Sequence, residues 1–216
     1  SDNLINRLRV INEAFIYNDL KCKINSNGTF LNFRDEMSSK EMLAFFKDDY
    51  LSKIHMYNMA QTSYHVLDDS LLAGKNIASG DTIIINFDNG NINRIQVYGG
   101  ALGKFNPEKN NTRIDTTILY GGEFVDYHIE QQLTYLTKNA FVEYENTRLK
   151  SGKILANWET NIMEANLFEN QYPLIETDGE NPMMGVNMVF DLIAKHGRIQ
   201  HGKTSYDNGY YIGEEV

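Results

Sequence analysis

Residues 46–64 read FKDDYLSKIHMYNMAQTSY and residues 87–105 read FDNGNINRIQVYGGALGKF, two copies of one pattern. Aligned without a gap at an offset of 41 residues, Phe46, Ile54, Tyr57 and Ala60 recur as Phe87, Ile95, Tyr98 and Ala101. Leu51 and Ile92, Lys53 and Arg94, Met56 and Val97, and Tyr64 and Phe105 match in kind. Each copy is an apolar strand end, a polar turn, an alternating strand, a tight corner and a further strand. Asp88-Asn89-Gly90-Asn91 supplies the turn, since Asn and Gly accept the left-handed backbone that a tight hairpin requires. One such unit cannot bury its own apolar face, so the repeat predicts a stacked, rung-like β architecture.

The second copy decides how the first is read. Ser39 to Tyr50 (SKEMLAFFKDDY) has the composition of an N-capped amphipathic helix, with Ser39 ahead of a run of helix formers. Its counterpart, Thr82-Ile83-Ile84-Ile85-Asn86-Phe87, is β-branched and a poor helix, so both are read as strands. Downstream, period-two alternation sets Val125, Tyr127 and Ile129 on one face, then Leu133 and Tyr135, then Ala140, Val142 and Tyr144. Leu149, Ile154, Ala156 and Trp158 continue it, with Asp126, Glu143 and Asn157 opposite. Corners are expected near Glu130-Gln131, Lys138-Asn139, Glu145-Asn146, Ser151-Gly152 and Asn161. Leu4, Leu8, Ile11 and Phe15 keep helical spacing, so the start is either a helix or a first strand. Residues 171–182 (QYPLIETDGENP), with two prolines, read as a long loop. Val186 to Leu192 and Gly197 to Gly202 read as a strand pair, and Asp207-Asn208-Gly209 as a last hairpin turn.

Composition narrows the function classes. The chain has 216 residues, 42% hydrophobic and 23% charged, as a globular domain does. No apolar run approaches the roughly 18–20 residues of a membrane-spanning helix. A net charge of −9 without a Lys/Arg cluster argues against nucleic acid and against electrostatic docking on an anionic membrane. Cys22 is the single cysteine, so neither an internal disulfide nor a cysteine-rich metal site can form. Its thiol is either idle or paired outside this chain.

No catalytic, cofactor or metal motif emerges. The five histidines are scattered, and His196 and His201, five apart, read as strand residues rather than a metal pair. Gly99-Gly100-Ala101-Leu102-Gly103 lies between strands, where a corner needing positive φ explains it better than a phosphate loop. Glu123, Asp126, Glu143 and Glu159 are the carboxylates on strands that a glycosidase would need in facing pairs, but alternation sets them on outer faces or corners. What remains is an aromatic and aliphatic stripe. It forms either a closed core between two sheets or an open apolar groove, and periodicity serves both equally.

The order of three segments carries a resemblance. Gly122-Glu123-Phe124-Val125-Asp126-Tyr127, then Leu133 to Tyr144 (LTYLTKNAFVEY), then Leu149 to Ile154 (LKSGKI) resemble the OstA-like, lipopolysaccharide (LPS)-transport repeat. Ser70 to Asp81 (SLLAGKNIASGD) looks like that family's entry to a rung. Met188 to Leu192, Gly197-Arg198-Ile199, Gly202-Lys203-Thr204 and Gly209 to Glu215 (GYYIGEE) resemble the stretch leading into the membrane barrel of the family's outer-membrane LPS-assembly (LptD) branch. The matches cover most of residues 42–216, while residues 1–40 match nothing in the family pattern. The resemblance implies one all-β domain over 1–216, an elongated β-jellyroll or "β-taco" of stacked short strands with an apolar interior groove. It implies no catalysis and no cofactor, residence in the periplasm in association with the outer membrane, and LPS acyl chains as the ligand. It further implies head-to-tail edge-strand contact with LptA/LptC-like jellyroll proteins, and an outer-membrane barrel with its lipoprotein as neighbours. Carried over by position, the groove residues are Val125, Tyr127, Leu133, Tyr135, Val142, Tyr144, Leu149, Ile154, Ala156 and Trp158. The family's barrel-flanking cysteines have no counterpart here, which leaves Cys22 as the one candidate partner for them. Two rivals stand beside this reading: a structural or adhesive β-solenoid with a filled core, and a carbohydrate-active jellyroll enzyme.

Overall fold

Long strands bent in their middles build most of the molecule. The computed structural model describes residues 5–24, 28–68, 71–109, 111, 114–206 and 209–215, and all its helical or extended structure is strand. β1 (Arg7–Lys23), β2 (Phe30–Lys47), β3 (Tyr50–Asp68), β4 (Leu71–Asp88) and β5 (Asn91–Pro107) run as an antiparallel meander. β6 (Ile118–His128), β7 (Leu133–Tyr144) and β8 (Thr147–Asn157) extend it. From Arg7 to Lys23 the chain is therefore strand, not helix, with Leu4 outside the described residues, and Ser39 to Lys47 is strand as its repeat copy requires.

The bend has one recurring cause. Asn58 and Met59 both hold left-handed backbone (φ 61° and 59°), as do Asn12-Glu13, Gly99-Gly100 and Lys138-Asn139 in their strands. Three steps from Tyr57 to Ala60 there oppose two from Thr82 to Gly80, a bulge that turns the chain. The same one-residue excess recurs between Tyr98/Ala101 and Gly122/Phe124, and between Thr137/Ala140 and Ser151/Lys153. Each pair precedes an alanine on the inner side, and Ala14, Ala60, Ala101 and Ala140 are all 1% exposed. Only a small side chain fits where the chain folds over itself.

Stacking these corners creases the meander into two walls. The first wall holds the later halves of β3, β5 and β7 with the earlier halves of β4, β6 and β8. The second wall holds the complementary halves, and apolar side chains from both point into the space between. The strands are thus about twice as long as the short strands expected, each spanning both walls.

The two ends differ. β8 pairs with β9 (Ile162–Asn166) through its second half and with β10 (Leu174–Thr177) through its first. β9 continues to β12 (Asn187–Asp191), and β10 to β11 (Met183–Met184). Both arms meet on β13 (His196–Tyr206), which closes the walls into a ring, with β14 (Gly209–Glu215) on its outer edge. The expected loop at 171–182 is thereby corrected: β10 lies inside it and carries one arm of the ring. The expected turn at Asp207-Asn208 lies outside the described residues. Around β6–β9 the interior is solid, with Ile118, Leu136, Ile154 and Met163 all at 0% exposure.

Candidate functional site: an apolar cavity between the walls

Toward β1 the walls part, and a cavity of about 650 Å³ opens along the seam opposite the crease. Leu51, Ile54, Phe87, Ile92, Tyr127 and Trp158 line it from the second wall, and Met37, Tyr64, Val66, Phe105 and Tyr120 from the first. The lining includes the repeat's own columns: Leu51/Ile92, Ile54, Phe87 and the Tyr64/Phe105 pair. In-register duplication thus places one apolar type over another along the trough.

A layer of rings floors the cavity. Tyr120 lies flat over Gly103, where an added Cβ would come within 2.2 Å of its ring atoms Cζ and Cε2. Laid down this way, its hydroxyl reaches Asn76 two strands away. The Asn76 amide donates to the hydroxyl oxygens of Tyr64 and Tyr120, both at 2.8 Å, and Tyr120 donates back to Asn76 Oδ1 at 2.9 Å. From the opposite wall, Tyr127 stacks on Tyr64 and Trp158 leans on Tyr120, each pair 6.4 Å apart between centroids. Trp158 Nε1 donates to Thr134 Oγ1 at 2.7 Å. Burial pushes all three phenols up, Tyr127 to about 12, so the layer is uncharged at neutral pH.

At the rim, β2 parts from β3 after the Glu36–Ser63 pair. Asp35 takes over as acceptor there, receiving the His65 backbone N–H at 2.9 Å and Nδ1 at 2.8 Å. Asn161 Oδ1, at the β8–β9 turn, is buried on the cavity lining without a hydrogen-bond partner among the described residues. Cys22 is buried near this end, and desolvation, aided by Asp35, raises its thiol pKa.

Of the ten residues assigned to the groove from the sequence, Tyr127 and Trp158 line the cavity. Val125, Val142, Tyr144, Leu149, Ile154 and Ala156 are buried between the walls in the solid part. There Tyr144 donates to Asp115 Oδ1 at 3.0 Å. Leu133 and Tyr135 are corrected: buried Thr134 and Leu136 take the inner face, and Tyr135 meets the outer-face ring of His128 instead. Corner residues Lys138 and Asn139 keep Leu136 and Ala140 on the same side, so the inner positions of β7 are all even-numbered. Tyr64, Asn76, Phe87, Phe105 and Tyr120 were absent from the assignment. The repeat alignment was the signal that could have found three of them.

The carboxylates do not converge. Asp126 is gripped on the outer face by Arg94 at 2.6 Å, and Glu143 stands 3.8 Å from Arg148. Among the described residues no group of three or more His, Cys, Asp or Glu side chains is placed to hold a metal ion. A second cavity of about 470 Å³ lies inside the closing ring, between Ile175, Met188, Phe190 and a charged rim of Glu145 and Lys195.

No protein-family model matches the chain, and no curated protein matches it. Among solved structures it is similar to LptH of Pseudomonas aeruginosa, described as the LptA-homologous periplasmic component of the LPS transport device. That likeness has 14% identity and a TM-score of 0.48, and it covers 62% of this chain and 82% of that one.

Proposed function

We propose that this chain is a non-catalytic periplasmic domain that shields LPS acyl chains in its cavity and passes them toward the outer membrane. The supporting observation is the cavity itself: about 650 Å³, walled by aliphatic and aromatic side chains and open along one seam. Each methylene taken from water contributes about 0.8 kcal/mol, so roughly six inside the trough give about 5 kcal/mol without any charged contact. The net charge of −9 suits a ligand whose anionic head stays outside. Edge strand β1 pairs with β2 along one side, and its other side meets only Leu71, through Lys23, among the described residues. A strand of an LptA/LptC-like jellyroll adds there, continuing the trough head to tail.

The filled interior at β6–β9 favours the rival reading, a structural β-protein with no ligand. Photocrosslinking separates the two. A photoreactive residue in place of Phe105, on the cavity wall, is expected to capture LPS in cells exporting it. One in place of the neighbouring Lys104, exposed on the outer face, is expected not to. Capture at neither site, or equally at both, sinks the lipid reading and leaves the structural one.

A further inference from the structure

The ring layer is polar on one side and incomplete on the other. Tyr64 and Tyr120 are both tied to Asn76, whereas the Tyr127 hydroxyl has no hydrogen-bond partner among the described residues. Directly across the ladder from Tyr127 stands Thr134. Its oxygen is occupied by the Trp158 N–H, but its own proton has no acceptor among the described residues. Both side chains line the cavity, and Thr134 is only 3% exposed. Two adjacent O–H donors facing an apolar cavity leave hydrogen-bonding capacity that only water or a ligand oxygen can use, and a ligand oxygen placed there gains a bond in surroundings poor in competitors. A plain hydrocarbon chain cannot accept. The row also sits two residues, about 7 Å, inward from rim residues Ile129 and Gln132. A chain with its head in water at the rim therefore brings its first few carbons to these hydroxyls.

We propose that Tyr127 and Thr134 form a specificity subsite for a hydroxyl or ester oxygen carried near the head of an acyl chain, so that the cavity prefers oxygen-bearing chains to plain ones. The proposal rests on the cavity being a lipid site. The test is displacement of a fluorescent fatty acid from the whole chain by tetradecanoic acid or by 3-hydroxytetradecanoic acid. The hydroxylated chain is expected to displace the probe at about tenfold lower concentration, the value of one neutral hydrogen bond. Tyr127→Phe, which keeps the Thr134–Trp158 bond, is expected to cut that preference to about threefold or less, read as the ratio of the two acids on the same variant. Adding Thr134→Val is expected to abolish it. Equal potency of the two acids on the unsubstituted protein overturns the subsite, and is also the result if water alone satisfies these hydroxyls. A preference that survives both substitutions overturns it too. Failure of either acid to displace a bound probe, or of the probe to bind, removes the lipid site itself and the subsite with it.

Discussion

Gly99 and Gly100 share left-handed backbone at the crease of β5, yet only the first is hemmed in. A Cβ on Gly99 would lie 2.4 Å from Asp81 Oδ2, while one on Gly100 would meet nothing within 4 Å. Met59, the counterpart of Gly100, already holds φ 59°. Gly100→Asn is therefore expected to cost under about 1 kcal/mol and Gly99→Ala about 2 kcal/mol, read from urea unfolding. The buried phenols set an alkaline limit. A phenol whose folded pKa is raised stays protonated in the folded chain after the unfolded chain has begun to ionise. Its contribution is whole below pH 10.0, the ordinary tyrosine value, and lost as pH rises through the folded value of about 12. Loss of the β-sheet circular dichroism signal should thus fall within that window, together with the last step of tyrosinate absorbance. Early tyrosinate absorbance from Tyr64, Tyr120 and Tyr127 in a still-folded chain would contradict it.

At the level of the strand, a glycine decides where a ring can lie. Gly103→Ala is expected to lift Tyr120 off β5 and break its bonds to Asn76, lowering the thermal midpoint and restoring a more ordinary phenol titration. Strand β7 shows what could be read from the sequence and what could not. The strand and its corner at Lys138-Asn139 were legible, because alternation and turn residues pointed the same way. Its phase before the corner was not. Leu133 and Tyr135 are more apolar than Thr134, and the outer face they occupy is itself partly aromatic through His128, so composition favoured the wrong face. Only the parity-conserving crease distinguishes the two. Leu136→Ala is accordingly expected to cost about 2–5 kcal/mol, and Leu133→Ala well under that, in the same unfolding assay. In β3–β5, by contrast, the repeat fixed the phase, and Leu51, Ile54, Phe87, Ile92 and Phe105 lie inside as its columns demand.

Across the whole molecule, one end is sealed by β13 and the other ends on edge strand β1. Leu8, Phe15 and Tyr17 on β1 are about half exposed, whereas Ile118, Leu136, Ile154 and Met163 in β6–β9 are fully buried. Amide exchange is expected to be slowest in β6–β9 and fastest in β1, following burial and pairing. Equal protection at both ends would contradict this asymmetry. The all-β class and the stacking were legible in the sequence because they are local and repeated. The sealing of the far end was not, since it depends on β10, hidden in a proline-flanked stretch, pairing with a strand that is adjacent only in space. The crease has an evolutionary consequence. Because each copy of the repeat turns through the same corner and presents the same columns, duplicating one 41-residue stretch adds two strands and about 10 Å of trough while leaving both ends as they were. The reach of such a molecule is a quantity its lineage can adjust by copying.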